Sequence, residues 1–293
     1  MAESSYLFIN DLRVHYLHWN LADGSPMLVL LHGLASNARI WELVGDELAA
    51  RGFAVIAPDA RGHGLTDKPE DGYDFETYTR DLAALLNACD LIHPILVGHS
   101  WGASVALDYA ARFSIGPRAP AGIVLVDGGT IQMDATGRSW EEMRDRLTPP
   151  RLAGMPLEAL LSRLSVPNSR WQPDARAVRI ILGNFEISAD ETISPHLSFE
   201  HHMQIVRAMW EFKTYERYSR VRCPVLAIPA RPLDPLTEQE REFLSNKERG
   251  IAIAQERVRD FRVHWMEDTI HDIPLQRPVE LADQIAGFAL PLK

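Results

Sequence analysis

Short runs of unbroken hydrophobic residues recur along the chain, with amphipathic stretches between them. MLVLLH (27–32), FAVIAPD (53–59), ILVGH (95–99), GIVLVD (122–127), PVLAIPA (224–230) and RVHWME (262–267) read as strands. Most show no polar alternation, as expected for strands covered on both faces. Segments 39–51, 75–89, 102–113 and 278–290 carry helical periodicity instead. Strands alternating with helices predict an α/β fold: a mostly parallel twisted sheet with helices on both sides. The opening YLFINDLRVHYLHW does alternate, and Asn10-Asp11 supplies turn residues. It predicts an antiparallel hairpin at the sheet edge.

The alternation stops between residues 131 and 220. SWEEMRDRL, PLEALLSRL, DARAVRIILGNF and SFEHHMQIVRAMWEFKTYERYSR read as helices broken by prolines, and no strand stands out. This predicts a helical cap inserted at 131–220, dividing a core of 1–130 and 221–293. Such an insertion would lie over the strand ends where open α/β sheets bind ligands.

Composition narrows the partners. A chain of 293 residues with a formal net charge of -10 offers no basic surface for nucleic acid. No apolar run approaches a membrane span, and the N-terminus MAESSYLFIN lacks a basic leader region. A cytoplasmic protein without a cleaved signal is the expectation. Cys89 and Cys223 both sit in apolar surroundings, which predicts reduced thiols.

The stretch ILVGHSWGAS places Ser100 between Gly98 and Gly102, after a strand and before a helix rich in small residues. Strand, sharp turn and helix are the context in which G-x-S-x-G presents a nucleophile. A serine hydroxyl needs a base, and the base should lie downstream. His271 is the candidate, in a loop after the last strand (TIHDIPLQRP). Upstream, LLHGLASN ends a strand at His32-Gly33. There the amide of Leu34 could join that of Trp101 in an oxyanion hole. The His32 and His63 side chains read as structural. His196, His201 and His202 weakly mimic a metal site, but no partner at ligand spacing completes it, so neither metal nor cofactor is expected. Two aspartates could orient the base, Asp127 (IVLVDGG) and Asp234 (AIPARPLDP).

HGLASN, VIAPDARGHGLTDKP, VGHSWGAS, CPVLAIPARPLD and TIHDIPLQRP, in this order, resemble the α/β-hydrolase superfamily, in its branch with a helical cap. The resemblance spans nearly all of the chain outside the insertion. It implies Ser100 as nucleophile, His271 as base and, by the commoner placement of the acid, Asp234 rather than Asp127. Relatives with aspartate at the nucleophile position form alkyl-enzymes; Ser100 points to acyl transfer instead. The expected activity is hydrolysis of small to medium hydrophobic carboxylic esters or lactones. Trp140, Met203 and Trp210 of the insertion are candidates for the acyl pocket. The alternatives are a carbon–carbon bond hydrolase of ring-cleavage products, and a small-molecule receptor of the same fold with slow turnover. A perhydrolase side activity would be a variant of the same site.

Overall fold

The computed structural model describes residues 1–21, 27–165 and 171–292. The strands of the main sheet are β1 (Glu3–Ile9), β2 (Leu12–Trp19), β3 (Met27–Leu31), β4 (Ala54–Pro58), β5 (Ile95–His99), β6 (Gly122–Val126), β7 (Val225–Ile228) and β8 (Phe261–Val263). Their spatial order is β1-β2-β4-β3-β5-β6-β7-β8. The hairpin β1–β2 pairs antiparallel through Asn10 and Asp11, whose φ values are +46° and +59°. Only residues that tolerate the left-handed region suit such a turn. β2 runs antiparallel to β4, and every later pairing is parallel.

All residues of β4, β5, β6 and β7 are buried. Successive side chains feed opposite layers: Val29 and Leu31 of β3 join one core, Leu28 and Leu30 the other. The first core holds α2 (Phe75–Ala88) and α3 (Trp101–Arg112); the second holds α1 (Glu42–Ala50) and α11 (Pro278–Ala289). This two-sided burial is why the strand sequences show no polar alternation.

Between β6 and β7 the chain forms α4 (Trp140–Leu147), α5 (Leu157–Ser165), α6 (Ala175–Leu182), α7 (Phe199–Glu211) and α8 (Thr214–Tyr218). One expectation needs correcting here. Met155–Pro156, Phe185–Ile187 and Thr192–Pro195 build a three-stranded antiparallel sheet within this segment. These strands are two to four residues long, too short to leave a period. After β7, the 20-residue helix α9 (Glu238–Arg257) precedes β8. It begins with a reciprocal cap between Thr237 and Glu240. A short helix α10 (Ile273–Gln276) leads into α11.

Candidate active site

Ser100 is the residue between β5 and α3. Its φ of +56° and ψ of −119° hold it in the left-handed half of conformational space, where a side chain is strained. The neighbouring backbone makes room for this turn. A Cβ on Gly98 would lie 2.2 Å from the Gly102 carbonyl oxygen, and one on Gly102 2.4 Å from that of Leu31. A third close approach was not anticipated from the sequence: a Cβ on Gly128 would lie 2.0 Å from the Ser100 carbonyl oxygen. β5, α3 and the end of β6 therefore pack backbone to backbone around the serine.

His271 lies in the loop before α10, with Nε2 2.9 Å from Ser100 Oγ. Its Nδ1 is 2.7 Å from Asp127 Oδ2. A carboxylate only accepts, so Nδ1 carries the proton and Nε2 presents a lone pair to the serine hydroxyl. The loop is fixed from below by His99, whose Nε2–H donates to the His271 carbonyl at 2.8 Å. Burial and the neighbouring His271 push His99 down to about 4, so its ring stays neutral.

The structure thus corrects the expected partner of His271. Asp127 faces His271, whereas Asp234 is exposed in the loop between β7 and α9. Beyond β7 the chain runs on in the same parallel register and pairs Ala230–Arg231 with Met266–Glu267. Ala230 N–H donates to Asp127 Oδ1 at 2.9 Å. Asp127 does stabilise a turn, as an aspartate at a strand end commonly does. Its second oxygen remains available for the imidazole. Lys247 of α9 also reaches Asp127 Oδ1, at 2.6 Å, and both side chains are almost wholly buried. Burial would raise the Asp127 pKa, but the Lys247 ammonium and the His271 hydrogen bond hold it well below the usual carboxylate range. Burial pulls His271 down, and the bond to Asp127 outweighs it, leaving the imidazole above its ordinary value.

Gly33 is packed against Ser100, with a Cβ there 3.2 Å from Ser100 Cβ. The next residue, Leu34, begins a turn, and Trp101 opens α3. The Trp101 indole is stacked on His63 and edge-on to Tyr78. His32 is structural: Nδ1–H donates to the Gly33 carbonyl at 2.8 Å, and Nε2 accepts from Ala60 N–H at 3.0 Å.

A cavity of about 300 Å³ opens over Ser100 and His271. Met143, Leu147 and Met209 line its apolar wall, and Arg138, Arg146, Glu242 and Lys247 bring charge. The expected Trp140, Met203 and Trp210 are not among the described lining residues. Trp140 and Trp210 pack on each other at 6.1 Å, with Arg207 over Trp140. Met203 sits by the Thr148 hydroxyl. These side chains pack the inserted helices together instead.

The alpha/beta hydrolase family profile matches residues 28–284, and the chain belongs to that family. It is 43% identical over 88 residues to the 2-(acetamidomethylene)succinate hydrolase of Mesorhizobium japonicum, covering 30% of this chain and 31% of that protein. It is 39% identical over 111 residues to a non-heme chloroperoxidase of Streptomyces lividans, covering 38% and 40%. The chain thus spans roughly a third of the length of the curated relatives it matches. The likeness of fold extends further. The crystal structure of E-2-(acetamidomethylene)succinate hydrolase superposes with a TM-score of 0.77 at 24% identity, over 98% of this chain and 99% of that one.

Proposed function

We propose that the protein is a serine hydrolase that cleaves carboxylic esters or lactones through an acyl-enzyme. The observation that carries this reading is the unbroken chain of hydrogen bonds from Ser100 through His271 to Asp127. Ser100 Oγ attacks the substrate carbonyl carbon while His271 Nε2 takes its proton. Asp127 holds the ring in the required tautomer and stabilises the imidazolium. The amides of Leu34 and Trp101 donate to the oxyanion, each contributing about 3 kcal/mol in the transition state. Collapse of the tetrahedral intermediate expels the alcohol, which takes the proton from His271. A water molecule, deprotonated by His271, then releases the acid.

The segment 131–220 serves as a cap over this site. Met143, Leu147 and Met209 bound the acyl group, consistent with a hydrophobic substrate of small to medium size. A panel of p-nitrophenyl esters, lactones and a dienoate, run on wild type and Ser100→Ala, tests the reading. Sustained ester turnover in wild type, lost by about 10⁴ to 10⁶ in the variant, is expected. Ester turnover that survives Ser100→Ala overturns it. A covalent adduct that forms and then stalls on every substrate replaces the enzyme with a receptor.

A second reading draws on the cavity's charge. Among the described residues lining the cavity, three are cations, Arg138, Arg146 and Lys247, and two are carboxylates, Glu242 and Asp127. That balance favours an anionic substrate, such as the dienoate acid of a ring-cleavage product undergoing carbon–carbon bond hydrolysis. The succinate named for one relative's hydrolase is also a carboxylate. Faster turnover of the dienoate than of neutral esters, reduced on replacing Arg146 with alanine, selects this reading.

A further inference from the structure

Lysine is scarce in this chain: four residues, Lys68, Lys213, Lys247 and Lys293, against 26 arginines. One of the four is buried beside the hydrogen-bonded serine and histidine. Lys247 is 4% exposed. Its ammonium meets the Asp127 carboxylate at 2.6 Å, the Ala230 carbonyl at 2.8 Å, and the face of Phe243 with the ring centre 4.8 Å away. The helix that carries it is closely seated. A Cβ on Gly250, one turn further along α9, would lie 1.6 Å from the Thr130 carbonyl oxygen, so α9 is seated directly on the chain leaving β6. That seating fixes the depth to which Lys247 reaches.

We propose that Lys247 is a positioning residue of the active site, holding Asp127 as a carboxylate and setting the proton affinity of His271 through it. The proposal rests on the serine-hydrolase reading only for its catalytic meaning; the electrostatic link stands on its own. A buried carboxylate with no cation beside it would draw the imidazole proton more strongly. Lys247 takes up one of its oxygens and part of its charge. The base can then stay neutral, and so able to accept the serine proton, at a lower pH. The ammonium is thus an electrostatic brake on a base that Asp127 would otherwise make too strong. The charged groups facing His271 are Asp127 at the end of β6, Lys247 on α9 and Asp272 beside it in the loop; His99 of β5 is neutral. Arg138, Arg146 and Glu242 lie across the cavity, and Glu242 pairs with both arginines. Among the described residues, Lys247 is the lysine or arginine that touches Asp127 directly.

The test is an NMR titration of the His271 imidazole in wild type, Lys247→Met and Lys247→Gln, paired with the pH dependence of Ser100 labelling by a fluorophosphonate. Loss of the charge should raise the His271 midpoint by about one unit in both variants. Labelling on the acid side should then fall about tenfold, while the alkaline plateau moves less. A side chain that only filled space would leave the midpoint where it is. An unmoved or lowered midpoint in a folded variant overturns the proposal. If His271 shifts while Ser100 takes no label even in wild type, the link to Lys247 holds and the serine-hydrolase reading falls. Should neither variant fold, the Lys247 Cε resonance of the unaltered protein must move through the same midpoint as His271. A resonance that ignores that midpoint overturns the proposal.

Discussion

Replacing Asp127 by asparagine separates the geometry in the structure from the alternative that the sequence favoured. The substitution keeps the volume and removes the charge. The new side chain could still accept from Ala230 N–H, but its neutral amide could no longer hold His271 in the Nδ1–H tautomer against the competing one. The analogous change in serine proteases lowers kcat by about 10⁴, and the same loss is expected here, about 5.5 kcal/mol of transition-state stabilisation. Stability should suffer as well. Lys247 would keep its buried charge without a counter-ion, and leaving one partner of a buried pair alone costs about 3–5 kcal/mol. Asp127→Asn combined with Lys247→Met, which removes both charges, should recover part of that stability without recovering the rate. Asp234→Asn, at an exposed loop position, should change neither by more than about twofold in rate or about 0.5 kcal/mol. The assay is p-nitrophenyl ester turnover with urea unfolding on the same preparations. Full activity in folded Asp127→Asn, or a collapse of activity in Asp234→Asn, would refute the reasoning.

The pH profile should follow the raised pKa of His271: the protonated ring cannot accept the serine proton, so kcat/KM falls as pH drops through a midpoint above that of ordinary imidazole, and a midpoint below 6.5 contradicts this. Asp127 gives stability that is likewise lost on the acid side, but at much lower pH. Its folded pKa is depressed, so that contribution is complete above the ordinary aspartate value and disappears only as pH falls through the much lower folded one, which acid unfolding of wild type and Asp127→Asn will show. Met143→Ala and Met209→Ala should shift preference toward longer acyl chains, whereas Trp210→Ala and Met203→Ala should leave the ester chain-length profile unchanged. Gly128→Ala should destabilise the fold by about 1–3 kcal/mol or more, measured by urea unfolding, because its Cβ would meet the Ser100 carbonyl oxygen rather than a movable side chain.

Most of the parallel strands were legible to within a residue or two because two-sided burial leaves unbroken apolar runs, and β5 and β6 show this plainly; the last was not, since 262–267 read as one strand but β8 ends at Val263 and Met266–Glu267 pairs separately. Ser100 and His271 were legible for a different reason. Gly98 and Gly102 announce a tight turn after a strand, and the downstream histidine falls in a loop near the last one. The aspartate that faces His271 was not legible, because one side chain does two jobs. Asp127 accepts a turn N–H with one oxygen and the imidazole N–H with the other, and sequence shows only the position suited to the first. The pocket aromatics misled in the other direction. Trp140 and Trp210 are spaced to pack their own helices, and the cavity wall falls to the methionines Met143 and Met209. Lys247 was hidden in the highly charged segment EQEREFLSNKERGIAIAQER, whose helix buries few of its residues. The cap at Thr237 and Glu240, and the rarity of lysine in this chain, were the signals that could have marked it.

The most direct test of the account is rapid-quench mass spectrometry of the protein mixed with p-nitrophenyl acetate. The expected result is a burst of about one p-nitrophenolate per chain, with a single acetyl group that maps to the peptide bearing Ser100 and vanishes in Ser100→Ala. Acetylation elsewhere, or hydrolysis that proceeds without any acetyl-enzyme at Ser100, would contradict it.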